Sequence, residues 1–142
     1  MPHVPDTDAI ARPLVDLLAL ARAQGPGPWR LSLVGDDGVR TVLLGWPPGF
    51  RTVPHHHPRA SELFAVQAGR LGFRLADDAE RELGPGSFLV ARPGEIHGLR
   101  VLGDQPAVLL AIVAPNEDRA DETVDDPDAW PDWTALERFA VR

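Results

Sequence analysis

From Trp29 to Pro115 the chain is cut at short, regular intervals by turn-forming residues. The breaks are Gly35-Asp36-Asp37-Gly38, Pro47-Pro48-Gly49, Ala68-Gly69, Gly84-Pro85-Gly86, Pro93-Gly94 and Gly103-Asp104. Glycine supplies backbone angles with positive φ, and proline removes a donor and fixes φ, so each cluster ends whatever regular structure precedes it. The apolar runs left between them are too short for ordinary helices. The spacing predicts strands over 29–34, 39–45, 50–57, 61–68, 70–76, 79–83, 87–91, 96–102 and 106–113. Many short strands with frequent turns build an antiparallel sandwich or barrel, so the expected class is all-β. A chain of 142 residues is one-domain size and can bury a core without cross-links.

The flanks read differently. Residues 8–24 are expected to form a helix, with Asp8 as N-cap, Pro13 in the first turn and Leu14, Leu17, Leu18 and Ala21 on one face. Gly25-Pro26-Gly27-Pro28 stops it. Its expected place is against the barrel or a second subunit. At the other end, Trp130 to Phe139 reads as a short helix with Pro131 in its first position. Core packing is the expected role of its tryptophans, and a lid over the barrel mouth is the alternative. The chain therefore divides into a helix and linker at 1–28, a barrel at 29–115, and an acidic segment with a terminal helix at 116–142.

Charge is concentrated in that last part. Residues 116–128 hold seven acids and one arginine, so they carry −6 of the net −7. A run of this kind is expected to be a solvated linker. The nearly neutral body lacks the basic footprint of a nucleic-acid-binding protein. No stretch approaches the apolar length of a membrane span. The first residues show neither the basic nor the apolar region of a secretory signal, so the expected location is the cytoplasm. Lysine, cysteine and tyrosine are all absent from the sequence. That removes Schiff-base, thiolate and phenol chemistry.

What remains reactive is histidine and carboxylate. Four of the five histidines lie in two turn-flanked strand regions, His55, His56 and His57 in one and His97 in the other. On an extended strand His55 and His57 point to one face and His56 to the opposite one. Glu62 follows after room for one turn. If Glu62 faces inward, alternation brings Phe64 and Val66 to the same interior. Three neutral imidazoles and a carboxylate suit one divalent transition metal: Fe, Mn, Ni, Co, Cu or Zn. An isolated His-x-His is a weak signal, but its combination with Glu62 and a spaced His97 is specific.

At these residues the sequence resembles the cupin superfamily, whose first motif is G-x5-H-x-H-x3,4-E-x6-G. Gly49, His55, His57, Glu62 and Gly69 match every fixed position. In the second motif, G-x5-P-x-G-x2-H-x3-N, Gly86, Gly94 and His97 match. Arg92 stands where proline is expected and Val101 where asparagine is expected. The resemblance spans about residues 40–114. It implies a single double-stranded β-helix (jelly-roll) barrel, a metal held by His55, His57, Glu62 and His97, and a homodimer.

Function is expected to follow from the metal. Small cupins include dioxygenases, isomerases, cyclases, decarboxylases, lyases and binding proteins. The missing tyrosine disfavours the epimerase type and lyases with a tyrosine base. The ligand set with glutamate disfavours the thiol dioxygenase type. The leading expectation is a metal-dependent dioxygenase acting on a small, partly apolar, enolisable or aromatic molecule. Glu62 would serve as ligand and, once detached, as proton acceptor. Redox-neutral Lewis-acid chemistry and non-catalytic ligand binding are the alternatives. Phe64, Val66 and Phe73 are expected to line the substrate pocket, with Phe88, Leu99 and Val101 in the same inward set. Arg51 shares the parity of His55 and would bind a substrate carboxylate if the alternation survives Pro54; otherwise it is a surface residue. Glu95 is read as a turn residue or a mouth acid.

Overall fold

A computed structural model describes residues 14–76, 78–117 and, for the backbone, 121–122. Among the described residues one helix, α1 (Leu17–Gln24), precedes ten strands. These are β1 (Trp29–Gly35), β2 (Arg40–Trp46), β3 (His55–His56), β4 (Ser61–Ala68), β5 (Arg70–Leu75), β6 (Arg81–Leu83), β7 (Phe88–Ala91), β8 (His97–Leu102), β9 (Ala107–Ala114) and β10 (Asp121–Glu122). They form two five-stranded sheets, β1-β2-β9-β4-β7 and β10-β3-β8-β5-β6. Every pairing is antiparallel. This is the jelly-roll barrel that the turn spacing and motifs predict. No described helix is long and apolar enough to cross a membrane.

Alternation decides what lies between the sheets. On the first sheet Val42, Leu44 and Trp46 of β2, Phe64 and Val66 of β4, and Leu109 and Ala111 of β9 face inward. Leu71, Phe73, Leu99 and Val101 meet them from the second sheet. Leu71, Leu99 and Leu109 are completely buried. Each such side chain stabilises the fold by about 1.5–3 kcal/mol relative to exposure. The opposite face of the first sheet forms a second cluster in which Leu31, Leu33 and Leu43 pack with Ala21, Leu17 and Leu20 of α1. The N-terminal helix thus packs on the barrel.

Three expectations about local structure change. Asp8 lies outside the described residues, and residues 14–16 are not helical. The N-cap is Asp16, whose Oδ1 accepts from the Ala19 N–H at 3.0 Å, so a carboxylate satisfies a donor the helix cannot. Leu14 thus falls before the helix and is exposed, and Leu18, on the side of α1 away from Leu17, Leu20 and Ala21, is exposed as well. The strand foreseen over 50–57 shrinks to β3 and a single bridge between Arg51 and Arg100. Pro54 and Pro58 lack the N–H groups that would extend the ladder. Phe88 points outward and is 60% exposed. It pairs with Ala65, whose neighbours Phe64 and Val66 occupy the interior. The helix foreseen over 130–139 lies outside the described residues.

Candidate metal centre

Both sheets deliver side chains to one point. His55 in β3 pairs directly with His97 in β8, so their side chains share the inner face of the second sheet. Glu62 arrives from β4 of the first sheet. His57 sits just past β3, where its carbonyl accepts from the Gly94 N–H at 2.9 Å. Gly94 has φ +79°, a conformation an L side chain rarely adopts. The glycine of the second motif thereby ties its turn to a ligand of the first. Gly69, at the β4–β5 turn, has φ +80°, and a Cβ there would come within 2.5 Å of the Pro106 carbonyl oxygen. That glycine fixes where β4 ends.

One ligand atom from each of His55, His57, Glu62 and His97 lies within 4.8 Å of all the others. The Glu62 Oε1 stands 2.8 Å from Nε2 of His97, 3.2 Å from Nε2 of His57 and 3.6 Å from Nε2 of His55. Ligands about 2.1 Å from a common ion lie about 3.0–3.5 Å apart in neighbouring positions. The three distances from the Glu62 Oε1 lie close to that spacing. Nδ1 of His55 donates to the Val53 carbonyl at 2.8 Å and Nδ1 of His97 to the Glu95 carbonyl at 3.0 Å. Each bond fixes a ring and aims its Nε2 at the cluster. The Phe64 ring meets His97 edge-on at 5.7 Å between centroids and holds its plane.

Burial pushes the Glu62 carboxyl up. Polar contacts from His55, His57 and His97, with the charge of His97, outweigh burial and hold it well below the ordinary carboxylate range. The Nε2 atoms of His57 and His97 stand within hydrogen-bond distance of Glu62, and that of His55 lies just beyond it. Glu62 is consequently an anion at neutral pH, and an incoming cation need not displace a proton from it. Three imidazole nitrogens and one carboxylate oxygen fit a borderline divalent ion and leave further positions for exogenous ligands. The residues present fit a metal.

The inward placements of Phe64, Val66 and Phe73 put them in the barrel interior. Arg51 is not brought to the cluster. Arg51 lies four positions before His55, but their partners Arg100 and His97 are only three positions apart. This one-residue slip around Pro54 inverts the alternation. Arg51 therefore shares a face with Arg100, on the side of β8 opposite Leu99 and Val101, and it is buried there. Glu95 is a turn residue whose Oε1 accepts from the Arg92 N–H at 2.7 Å. A proline at position 92, the residue the second motif expects, could not donate that bond. Val101, the other departure, is part of the core.

One interior cation escaped the sequence reading. Glu62 pairs with Val113, and Val113 pairs with Arg40. All three therefore stand in one row on the inner face of the first sheet. The alternation Arg40–Val42–Leu44 carried this signal. Arg40 is half-buried, and its Nη2 donates to the Glu117 carbonyl at 3.1 Å.

A protein-family model described as a cupin domain matches residues 42–113. No curated protein matches the sequence. Among solved structures, an uncharacterized conserved protein with a double-stranded β-helix domain from Klebsiella pneumoniae is similar with a TM-score of 0.67 at 21% identity, over 78% of this chain and 96% of that one. A cupin 2 domain-containing protein from Halorhodospira halophila gives 0.64 at 24% identity, over 75% of each chain. A polyketide cyclase from Streptomyces resistomycificus gives 0.61 at 23% identity, over 71% of this chain and 74% of that one. At these identities the likeness establishes the fold alone.

Proposed function

The chain belongs to the cupin family, and on that premise we propose that it is a metal-dependent enzyme of dioxygenase type acting on a small organic molecule. The observation that carries this reading is the convergence of His55, His57, Glu62 and His97 within 4.8 Å inside the barrel. A bound divalent transition ion would supply Lewis acidity toward a substrate oxygen and, where redox-active, a route for electrons from the substrate to O₂.

The chain's own residues do the rest. With lysine, cysteine and tyrosine absent, Glu62 is the carboxylate of the cluster and the proposed proton acceptor; its lowered proton affinity keeps it ionised at neutral pH, at the cost of basicity. Phe64, Val66 and Phe73 line the interior and exclude water from an apolar or aromatic substrate body. Arg40, on the inner face in the row of Glu62, takes the role first foreseen for Arg51. Its guanidinium is suited to a substrate carboxylate or enolate. The substrate class this favours is a small acid or enolisable compound with an apolar portion.

An anionic Glu62 also serves a redox-neutral isomerase, cyclase or decarboxylase. Parallel incubations of metal-loaded protein with candidate aromatic and enolisable acids, in air and under argon, separate the readings. The dioxygenase reading expects turnover in air with stoichiometric O₂ uptake and none under argon. Undiminished turnover under argon sinks it in favour of the redox-neutral one. Binding without turnover in either atmosphere points to a ligand-binding protein.

A further inference from the structure

Most of the chain's net negative charge lies in residues 116–128, yet the described part of that run is not a solvated linker. Asn116 is fastened to the β1–β2 turn: its N–H donates to the Asp37 carbonyl at 3.2 Å and its Nδ2 to the Asp36 carbonyl at 2.8 Å. Glu117 is 7% exposed. Its Oε2 accepts from the Arg59 N–H at 3.0 Å, its Oε1 lies 3.9 Å from the Arg59 Nε, and its carbonyl accepts from Arg40. Farther on, β10 pairs with β3, Asp121 opposite His56 and Glu122 opposite His55.

These contacts fall on the segments that deliver three of the four clustered side chains. Arg59 lies in the turn between His57 and Glu62, so the Glu117 carboxylate holds the backbone that sets their separation. β3 is two residues long and has one registered pair with β8, too little to fix a strand alone. β10 gives it a second neighbour and makes it an interior strand.

We propose that Asn116, Glu117 and β10 act as a strap that preorganises the metal centre, with Glu117 a positioning residue for the His57–Glu62 turn and β10 a positioning element for His55. This rests on the metal reading above. Ligands must be held within about 0.5 Å of productive geometry before an ion binds tightly. A buried carboxylate bonded to backbone N–H is a strong and directional means of holding a turn.

The test measures Co(II) affinity by chelator competition, the intensity of the Co(II) d–d bands, and the denaturant midpoint of the metal-free protein, all in the full chain. Wild type is compared with Glu117→Ala, Glu117→Gln and the double variant Asp121→Pro/Glu122→Pro. Glu117→Ala and the proline variant are expected to weaken Co(II) binding about tenfold or more, with altered band intensity. Glu117→Gln, which keeps an acceptor for Arg59, is expected to weaken it measurably but less than Glu117→Ala does. The metal-free midpoints are expected to stay near wild type. Wild-type affinity in Glu117→Gln and the proline variant overturns the strap, as does a weakening fully accounted for by a lowered metal-free midpoint. Should Glu117→Ala fail to fold, those two variants decide. Failure of wild type to bind Co(II) sinks the metal reading itself, and the strap with it.

Discussion

The inner faces of three strands change chemistry along their length. Glu62 gives way to Phe64 and Val66 in β4, His97 to Leu99 and Val101 in β8, and Arg40 to Val42 and Leu44 in β2. One end of the interior is thus polar and the other apolar. The apolar end is held by close packing, which tolerates exchange among side chains of similar volume. The polar end is held by directed bonds: Nδ1 to carbonyl, Nε2 to Oε1, carboxylate to backbone N–H. Exchange there removes a specific partner. The contrast teaches that stability and chemistry are set by separate lengths of the same strands and should respond separately to substitution.

The largest expected effect is at the polar end. His97→Ala and His57→Ala should lose bound metal on purification, as read by elemental analysis, while the metal-free fold persists; full occupancy in either variant breaks the ligand assignment. At the apolar end, Leu99→Ala should cost about 2–5 kcal/mol in urea unfolding and leave metal stoichiometry unchanged in the folded fraction. A variant that lost metal as readily as stability would erase the distinction between the ends.

Acid sharpens the same contrast. The folded-state proton affinity of Glu62 is depressed. The stability it contributes is therefore complete above the ordinary glutamate value of about 4.3 and is lost as pH falls through the lower folded-state value. Urea midpoints of the metal-free protein between pH 7 and pH 3 should show this loss, and Glu62→Gln should flatten it. Arg40→Leu should raise KM for an acidic substrate about tenfold with a smaller change in kcat, since a charge-assisted bond is worth about 1.5–3 kcal/mol. The smallest effect is expected outside the barrel, where Phe88→Ser should shift stability by about 0.5 kcal/mol or less.

The sequence made the apolar end and the ligands legible, because both follow from local rules. Turn residues bound the strands, and period-two alternation places Phe64, Val66, Phe73, Leu99 and Val101 inside. The placements that escaped depend on pairing across the sheets. Arg51 changes face through a one-residue slip around Pro54 that no local pattern announces. In the run Phe88-Leu89-Val90-Ala91 every residue is apolar, so alternation offers no clue to which pair faces in. Glu117 and β10 look like any solvated acidic run until Arg59 and β3 are placed beside them. Arg40 was readable by parity, but its relation to Glu62 needed the two pairings through Val113.

His55 and His97 belong to one sheet and Glu62 to the other. An ion bound among them joins the two layers by coordinate bonds, as a rivet joins plates. Separation of the sheets would then require release of the ion, so resistance to unfolding becomes a gauge of free metal. At a concentration one hundred times the dissociation constant, the ion adds about 2.7 kcal/mol to the folded state. Two preparations of identical sequence but different metal history would melt as different proteins.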